Sequence, residues 1–321
     1  MINVDNGRHP IGDRNTRSSK KKHKLLNERL VFIVVILAIP VLNWLVFWLF
    51  VNIQTIALAF KDARTGAFTL GNFVTFWNDL TSPVGNSIGV AVKNTMIYFA
   101  TDMFVKLPLS LAIAYFIYKR LAGYKFFRIV FYLPAIISGV VMVTAYTKLI
   151  DPMGPLDYIV RLFGGQIPPY GLLGHKSTAT AAIVGYYIWT GFTTNVLLFS
   201  GAMSRLPLEI LESAKLEGCG PWREIVSIVF PLIWPTVTTV IIFTLTGIFN
   251  AGGPILLFGA DQYETTTVSY WIFKQLYGDG IQGGTGNYNI VSCTGLCFTM
   301  VGVPIIMTIR WLLERRDSAQ Y

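Results

Sequence analysis

The chain has 321 residues, of which 53% are hydrophobic and only 13% charged, and it carries a formal net charge of +9. Length alone would suggest about two soluble domains, but several apolar runs of about 20 residues, each able to cross a bilayer, exclude that and define an all-α polytopic membrane protein. The basic excess is therefore read by its position along the chain rather than as a nucleic-acid-binding surface, because Lys and Arg collect in the cytoplasmic loops of membrane proteins.

Residues 1–29 are hydrophilic and carry Arg14, Arg17, Lys20, Lys21, Lys22, Lys24 and Arg29. They are expected to form a cytoplasmic basic tail, either a plain positive flank or a segment that binds anionic lipid or a partner. No cleavable signal peptide is expected, so the first apolar run would be a retained anchor. That first span runs from about Leu30 to Val51 and includes Pro40, which a membrane helix tolerates with a kink. The second covers about Asn94 to Tyr118 and holds Asp102 and Lys106, four residues apart and able to meet on one helix face. Two readings of that pair stay open: a transport path or proton relay, or a self-neutralised pair at a water-filled wall. Lys119, Arg120, Lys125 and Arg128 mark a basic turn before the third span, about Ile129 to Ile150.

Residues 151–177 read as a loop, and the fourth span, about Thr178 to Met203, is rich in aromatic residues. A polar, amphipathic island follows at about 206–231. Pro207 suits the first turn of a helix, Leu208, Leu211 and Ala214 form an apolar strip at helical spacing, and Gly218 is a helix stop. The fifth span covers about Pro231 to Asn250, an external segment occupies 255–285, and the sixth span, about Tyr288 to Leu313, leads to Glu314-Arg315-Arg316 and a tail at 317–321. Six spans put both termini on one side, and the basic clusters at the N-terminus, at 119–128 and at 310–316 make that side the cytoplasm. The island between spans four and five is then cytoplasmic too.

No catalytic constellation is present. The nearest approach to a phosphate cradle, Gly171-Leu172-Leu173-Gly174-His175-Lys176-Ser177, has the wrong glycine spacing and lies on the external side. His9, His23 and His175 are scattered, and Cys293 and Cys297 read as small packing residues, so no metal site is expected. A sugar path would need flat aromatic faces beside amide and hydroxyl groups. Tyr186, Trp189, Asn195, Thr246, Asn250 and Ser292 supply these types on the fourth, fifth and sixth spans, and the two amides need a partner or a cavity in hydrocarbon.

The island, as Glu212-Ser213-Ala214-Lys215-Leu216-Glu217-Gly218 followed by Trp222-Arg223 and Ile228-Val229-Phe230-Pro231, resembles the cytoplasmic signature of permease subunits of binding-protein-dependent ABC importers. That signature is Glu-Ala-Ala, three residues, then Gly; Ser213 stands in place of the first Ala, and Cys219-Gly220-Pro221 replaces a more usual Ala-Ser. The carbohydrate-uptake, maltose-type branch is similar in Asn72-Phe73, Lys93-Asn94-Thr95, Tyr124-Lys125-Phe126-Phe127-Arg128, Leu133-Pro134, Asp151-Pro152, Gly154-Pro155-Leu156, Trp189-Thr190-Gly191-Phe192 and Gly252-Gly253-Pro254. The resemblance covers most of residues 30–316.

It implies a six-span transmembrane domain whose island is a coupling helix, seated in a cleft of an ATPase subunit like a ball in a socket. Glu212 would then make a polar or salt-bridge contact, Ala214 would pack closely, and Gly218 would allow the sharp turn, with Ser213, Glu217 and Arg223 as further parts of the joint. The implied partners are a second permease subunit, two ATPase subunits and an extracytoplasmic solute-binding protein. ATP and Mg would be used by those partners, and no cofactor is expected on this chain. The implied activity is non-enzymatic: alternating-access import of a sugar or oligosaccharide at the cell membrane. The readings set against it are an importer of the same architecture for a polyamine or glycerol phosphate, an ion-coupled carrier built on Asp102, and a membrane enzyme.

Overall fold

The computed structural model describes residues 14–82, 85, 87–250, 254–259, 263–277 and 286–317. The first thirteen residues of the basic tail, Gly252-Gly253, Asp261, the glycine-rich run 278–285 and residues 318–321 lie outside them. The chain divides into two compact units, residues 1–58 and 59–321, and each is taken by itself.

In the first unit, α1 (Arg14–Asn43) passes through a widened π-helical turn at Trp44–Phe50 into α2 (Val51–Ala59). Trp44 and Trp48 stack there at 5.2 Å. Pro40 sits inside α1 without ending it, as in membrane helices, where neighbouring groups re-satisfy the freed carbonyl.

The second unit is helical among its described residues, apart from one antiparallel bridge, Lys61 to Phe68. Its elements are α3 (Gly71–Thr81), α4 (Ile88–Thr101), α5 (Leu107–Tyr118), α6 (Tyr124–Ile136), α7 (Gly139–Ile150), α8 (Pro155–Leu162), α9 (Lys176–Gly191) and α10 (Thr193–Met203). They continue as α11 (Leu208–Leu216), α12 (Pro221–Glu224), α13 (Phe230–Leu232), α14 (Trp234–Thr246), α15 (Ile255–Phe258), α16 (Val268–Tyr277) and α17 (Tyr288–Asp317). Among the described residues, four continuous helices are long and apolar enough to cross a membrane: Arg29–Ala59, Ile88–Tyr118, Lys176–Met203 and Tyr288–Arg315. Two bent pairs raise the number to six if each counts as one span.

Those pairs correct the expectation of continuous third and fifth spans. The chain turns by 113° between α6 and the Gly139–Leu162 segment, because Ile137 and Ser138 both leave helical geometry for extended ψ values of 143° and 137°. It turns by 76° between Pro221–Leu232 and α14. There Pro235 has no N–H for the carbonyl of Pro231 and its ring crowds that carbonyl, which breaks the helix at Ile233.

The two largest of the apolar clusters among the described residues hold the second unit. One gathers Leu107, Ala114, Phe192, Val196, Phe199, Met203, Leu211, Val229 and Val237, and so joins α5, α10, α11 and α14. The other packs Phe76, Ile88, Ala91, Trp271, Ile290 and Cys293 from α3, α4, α16 and α17. The single helix Ile88–Tyr118 runs through both. At the α3 end, side-chain amides take the place of regular structure. Asn72 donates to the carbonyls of Ala59 and Lys61, each at 2.9 Å, and Asn289 donates to Lys61 at 2.6 Å. Asp79 accepts from the first amide of α4, Ile88, at 2.9 Å, which satisfies a donor every helix start leaves open.

Candidate functional site

The helix α11 is nine residues long and stands between two membrane-length segments. Pro207 precedes its first residue rather than standing inside the first turn. Its end is built by Gly218 at φ +76°, with Gly218 N–H donating to the Lys215 carbonyl at 3.1 Å and Cys219 N–H to that of Ala214 at 2.9 Å. This pair of bonds around a left-handed residue closes a helix and turns the chain sharply, and glycine takes that φ without a Cβ clash.

Leu211 and Ala214 are buried at 7% and 6% exposure, so one side of α11 is pinned to the rest of the chain. The family resemblance implies that Ala214 packs against an ATPase; here it is turned inward, on the same strip as Leu211, as their helical spacing of three requires. The outward side carries Glu209, Glu212, Ser213, Glu217 and Gly218, with Arg223 exposed on α12. Large apolar groups that sequence reasoning did not select stand bare beside them, Leu216 on α11 at 90% and Trp222 on α12 at 79% exposure. Leu216 lies four residues after Glu212 and seven after Glu209, and so on the polar side of α11 rather than on the Leu211–Ala214 strip.

A second omission lies beneath this surface. Glu224, only 4% exposed, pairs with Lys119 at 2.7 Å and so ties the end of α5 to α12. The partners are far apart in sequence, and the only local signal was a carboxylate at the very start of an apolar stretch.

Asp102 and Lys106 do meet on one helix face, with 2.5 Å between Lys106 Nζ and Asp102 Oδ1 and side chains 15% and 8% exposed. Tyr187 on α9 completes the group: its hydroxyl donates to Asp102 Oδ2 at 2.7 Å, and its ring lies 3.9 Å from the ammonium. The chain widens into a π-helical turn over Asp102–Lys106. Gly191 makes room for the lysine, since a Cβ there would lie 2.6 Å from Nζ. Ser110 bridges the same helices by donating to the Lys106 and Phe192 carbonyls at 2.6 and 3.3 Å. The arrangement is a neutralised charge pair that clamps two spans together.

Of the expected path residues, Tyr186 and Trp189 come together at 6.4 Å between ring centres. Tyr146 joins both, at 5.3 and 6.0 Å, and Phe258 packs on Tyr186 at 5.2 Å. Tyr186 is buried and Trp189 is 38% exposed, so the cluster offers one open aromatic face. Asn195 is half-buried, Asn250 exposed and Ser292 buried, while the exposed Thr246 bonds back to the carbonyls of Ile242 and Phe243 at 3.0 and 3.1 Å. No hydrogen bond among the described residues joins these four to the aromatic cluster.

The Lys93-Asn94-Thr95 motif acts as a clamp. Asn94 donates to the carbonyls of Glu264 and Thr266 at 2.7 and 2.8 Å, and Thr95 Oγ1 accepts from Val268 N–H at 3.0 Å. It thereby ties α4 to the loop that opens α16.

Known proteins carry the same architecture. The chain is 26% identical over 234 residues to the diacetylchitobiose uptake system permease protein NgcF of Streptomyces coelicolor, spanning 70% of this chain and 66% of that one. It is 26% identical over 257 residues to the sn-glycerol-3-phosphate transport system permease protein UgpA of Agrobacterium fabrum, spanning 78% and 84%. A crystal structure of a bacterial ABC transporter involved in the import of the acidic polysaccharide alginate superposes with a TM-score of 0.74 at 21% identity, over 91% of this chain and 99% of that one. Residues 106–318, which hold the Asp102–Lys106 turn's lysine, α11 and α17, match the model of the binding-protein-dependent transport system inner membrane component. The chain belongs to that family, the permease subunits of ABC importers.

Proposed function

We propose that this permease moves a sugar or oligosaccharide, delivered by a solute-binding protein, and that α11 is its coupling helix to an ATPase subunit. The observation that carries the coupling role is the exposed surface of α11 and α12: acidic and hydroxyl groups and bare Leu216 on α11, which Leu211 and Ala214 anchor from behind, followed by bare Trp222 on α12. Large apolar groups ringed by polar ones mark protein interfaces, and a buried aromatic anchor typically dominates their energy. Glu212, Ser213 and Glu217 then contact the ATPase, Arg223 lies at the margin, and Ala214 acts from within by letting α11 sit close to its own chain. Two ATPase subunits and a second permease complete the transporter. Both termini and α11 face the cytoplasm, in keeping with the basic residues at 119–128 and 310–316.

The saccharide reading draws on the chitobiose-uptake relative and on the open face of Trp189 within the Tyr146–Tyr186–Phe258 cluster. Asn195, Thr246, Asn250 and Ser292 are the polar groups proposed for the rest of the path. The glycerol phosphate permease relative favours a second reading, a small phosphorylated polyol.

Two experiments separate these claims. In proteoliposomes holding the complete transporter, Trp222→Ala and Glu212→Ala should lower solute uptake per ATP hydrolysed while the four-subunit complex still purifies; uptake and hydrolysis both unchanged would remove α11 from the joint. A thermal-shift screen of the cognate binding protein against neutral glycans, acidic glycans and glycerol phosphate identifies the solute class. A shift with glycerol phosphate alone would overturn the saccharide reading.

A further inference from the structure

A cavity of about 880 Å³ opens between the ends of α5 and α10, the start of α6 and the flank of α11. Its walls carry Lys119, Arg120, Arg128 and Lys215 against a single carboxylate, Glu212. Lys119 is already held by Glu224 at 2.7 Å. Arg120 and Lys215 form no ion pair with any described residue, and Arg128 lies 6.0 Å over the ring of Tyr132. The cavity thus presents an excess of two positive charges without a protein partner.

Its other polar groups are donors as well. Ser200 Oγ is buried and bonds no described atom, although a buried hydroxyl ordinarily finds a partner. The phenols of Tyr118, Tyr124 and Tyr132 line the same space. Arg120 is also fixed in an uncommon backbone state, φ 49°, directly after the helix end. Its amide donates to the Ile117 carbonyl at 3.1 Å, which holds the side chain's base at the cavity wall. A flank that only obeyed the charge rule of membrane proteins would spread its cations over the surface. Here they converge on one concave space from three separate elements.

We infer that this cavity binds a phosphate group, either the headgroup phosphate of an anionic phospholipid or a phosphate free in solution. Guanidinium forks on Arg120 and Arg128 match phosphate oxygens in pairs, Lys215 supplies a point charge from α11, and Ser200 and the phenols fill the remaining acceptor positions. Basic pockets at span ends recognise lipid headgroups in the same way. The occupant would bridge the ends of α5 and α6 to α11, and it would bind whether or not α11 docks an ATPase.

The test uses the complete transporter in nanodiscs of phosphatidylcholine alone or with about one third phosphatidylglycerol, a fraction at which anionic lipid sets the surface potential. Native mass spectrometry counts retained phosphatidylglycerol. Thermal unfolding in pure phosphatidylcholine is followed with inorganic phosphate against chloride at equal ionic strength. Removing one charge-assisted hydrogen bond to the phosphate should weaken binding about tenfold, so Arg120→Gln and Lys215→Gln should each lower retention of the lipid, or the stabilisation by phosphate, by that order. Arg310→Gln, whose residue is paired with Glu314 at the far end of α17, should change neither. A fall in lipid retention in the two cavity variants identifies a headgroup site; a fall in phosphate stabilisation in them identifies a free-anion site. Retention that falls equally in Arg310→Gln, or no lipid retention and no phosphate effect in the unaltered chain, overturns the inference.

Discussion

Replacing Asp102 by Asn removes the negative member of the buried pair and keeps its shape. The structure sets the cost. Lys106 is left 8% exposed, packed against Gly191. Breaking one half of a buried pair costs about 3–5 kcal/mol because the remaining charge has no counterion. The lower figure applies here, since the Tyr187 ring stays 3.9 Å from the ammonium and continues to attract it. A loss of about 3 kcal/mol is roughly a hundredfold in the folding equilibrium. Asp102→Asn combined with Lys106→Met, which removes both charges and keeps the lysine's volume, should return stability to within about 1 kcal/mol of the native chain. Reversible unfolding in mixed detergent micelles, with sodium dodecyl sulfate as the titrant, measures all four corners of the cycle. Additive losses, with the double variant worse than either single one, would refute the view that the two charges neutralise each other. Stable but transport-dead variants would instead restore the proton-relay reading.

Three further outcomes follow from features already described. Gly218→Ala forces a Cβ into the left-handed region with no atom nearby to clash, so it should cost about 1–2 kcal/mol of backbone strain alone; Gly218→Asn should recover most of that, as read by uptake per ATP in proteoliposomes. Asn94→Ala leaves the Glu264 and Thr266 carbonyls short of a donor, at about 1–3 kcal/mol for a buried group, and limited proteolysis should cut the 263–267 loop faster with the helix cores still protected. The third concerns pH. Thr65 and then Arg64 donate backbone amides to Asp62, and the Thr65 hydroxyl adds another bond, which holds this exposed carboxyl below the usual carboxylate range. Its contribution to the 61–68 turn is complete above the carboxylate range and is lost as pH falls through the lowered value. Hydrogen exchange at Thr65 should therefore distinguish Asp62→Asn from the native chain at neutral pH and cease to do so in strong acid.

The apolar runs were legible because crossing a bilayer demands about 20 consecutive apolar residues. The Gly218 stop was legible because left-handed helix ends select glycine. Both signals are local. The spacing put Ala214 on one strip with Leu211, but what that strip packs against was not legible, because within a short amphipathic helix a small residue suits a protein partner and the chain's own core equally well. The bends at Ser138 and at Ile233 were also hidden. Proline is tolerated in membrane helices, and Pro40 in α1 does not end its helix whereas Pro235 does break one. Tyr187 and Glu224 escaped for a third reason: each bonds a residue more than eighty positions away, and a single sequence carries no record of such pairs.

The helix Ile88–Tyr118 has one further consequence. At 1.5 Å per residue it is a rod of about 46 Å, bolted at its first turns to the 264–268 loop through Asn94 and Thr95 and just past its last turn to α12 through Lys119. The Asp102 turn fastens it to α9 near its midpoint. A rod fixed at its centre and at both tips is a rocker. A tilt of roughly 10° moves each tip about 4 Å, and in opposite directions. The 264–268 loop at one end and α12, beside the acidic face of α11, at the other are thus two ends of one beam, and neither can be displaced without the other.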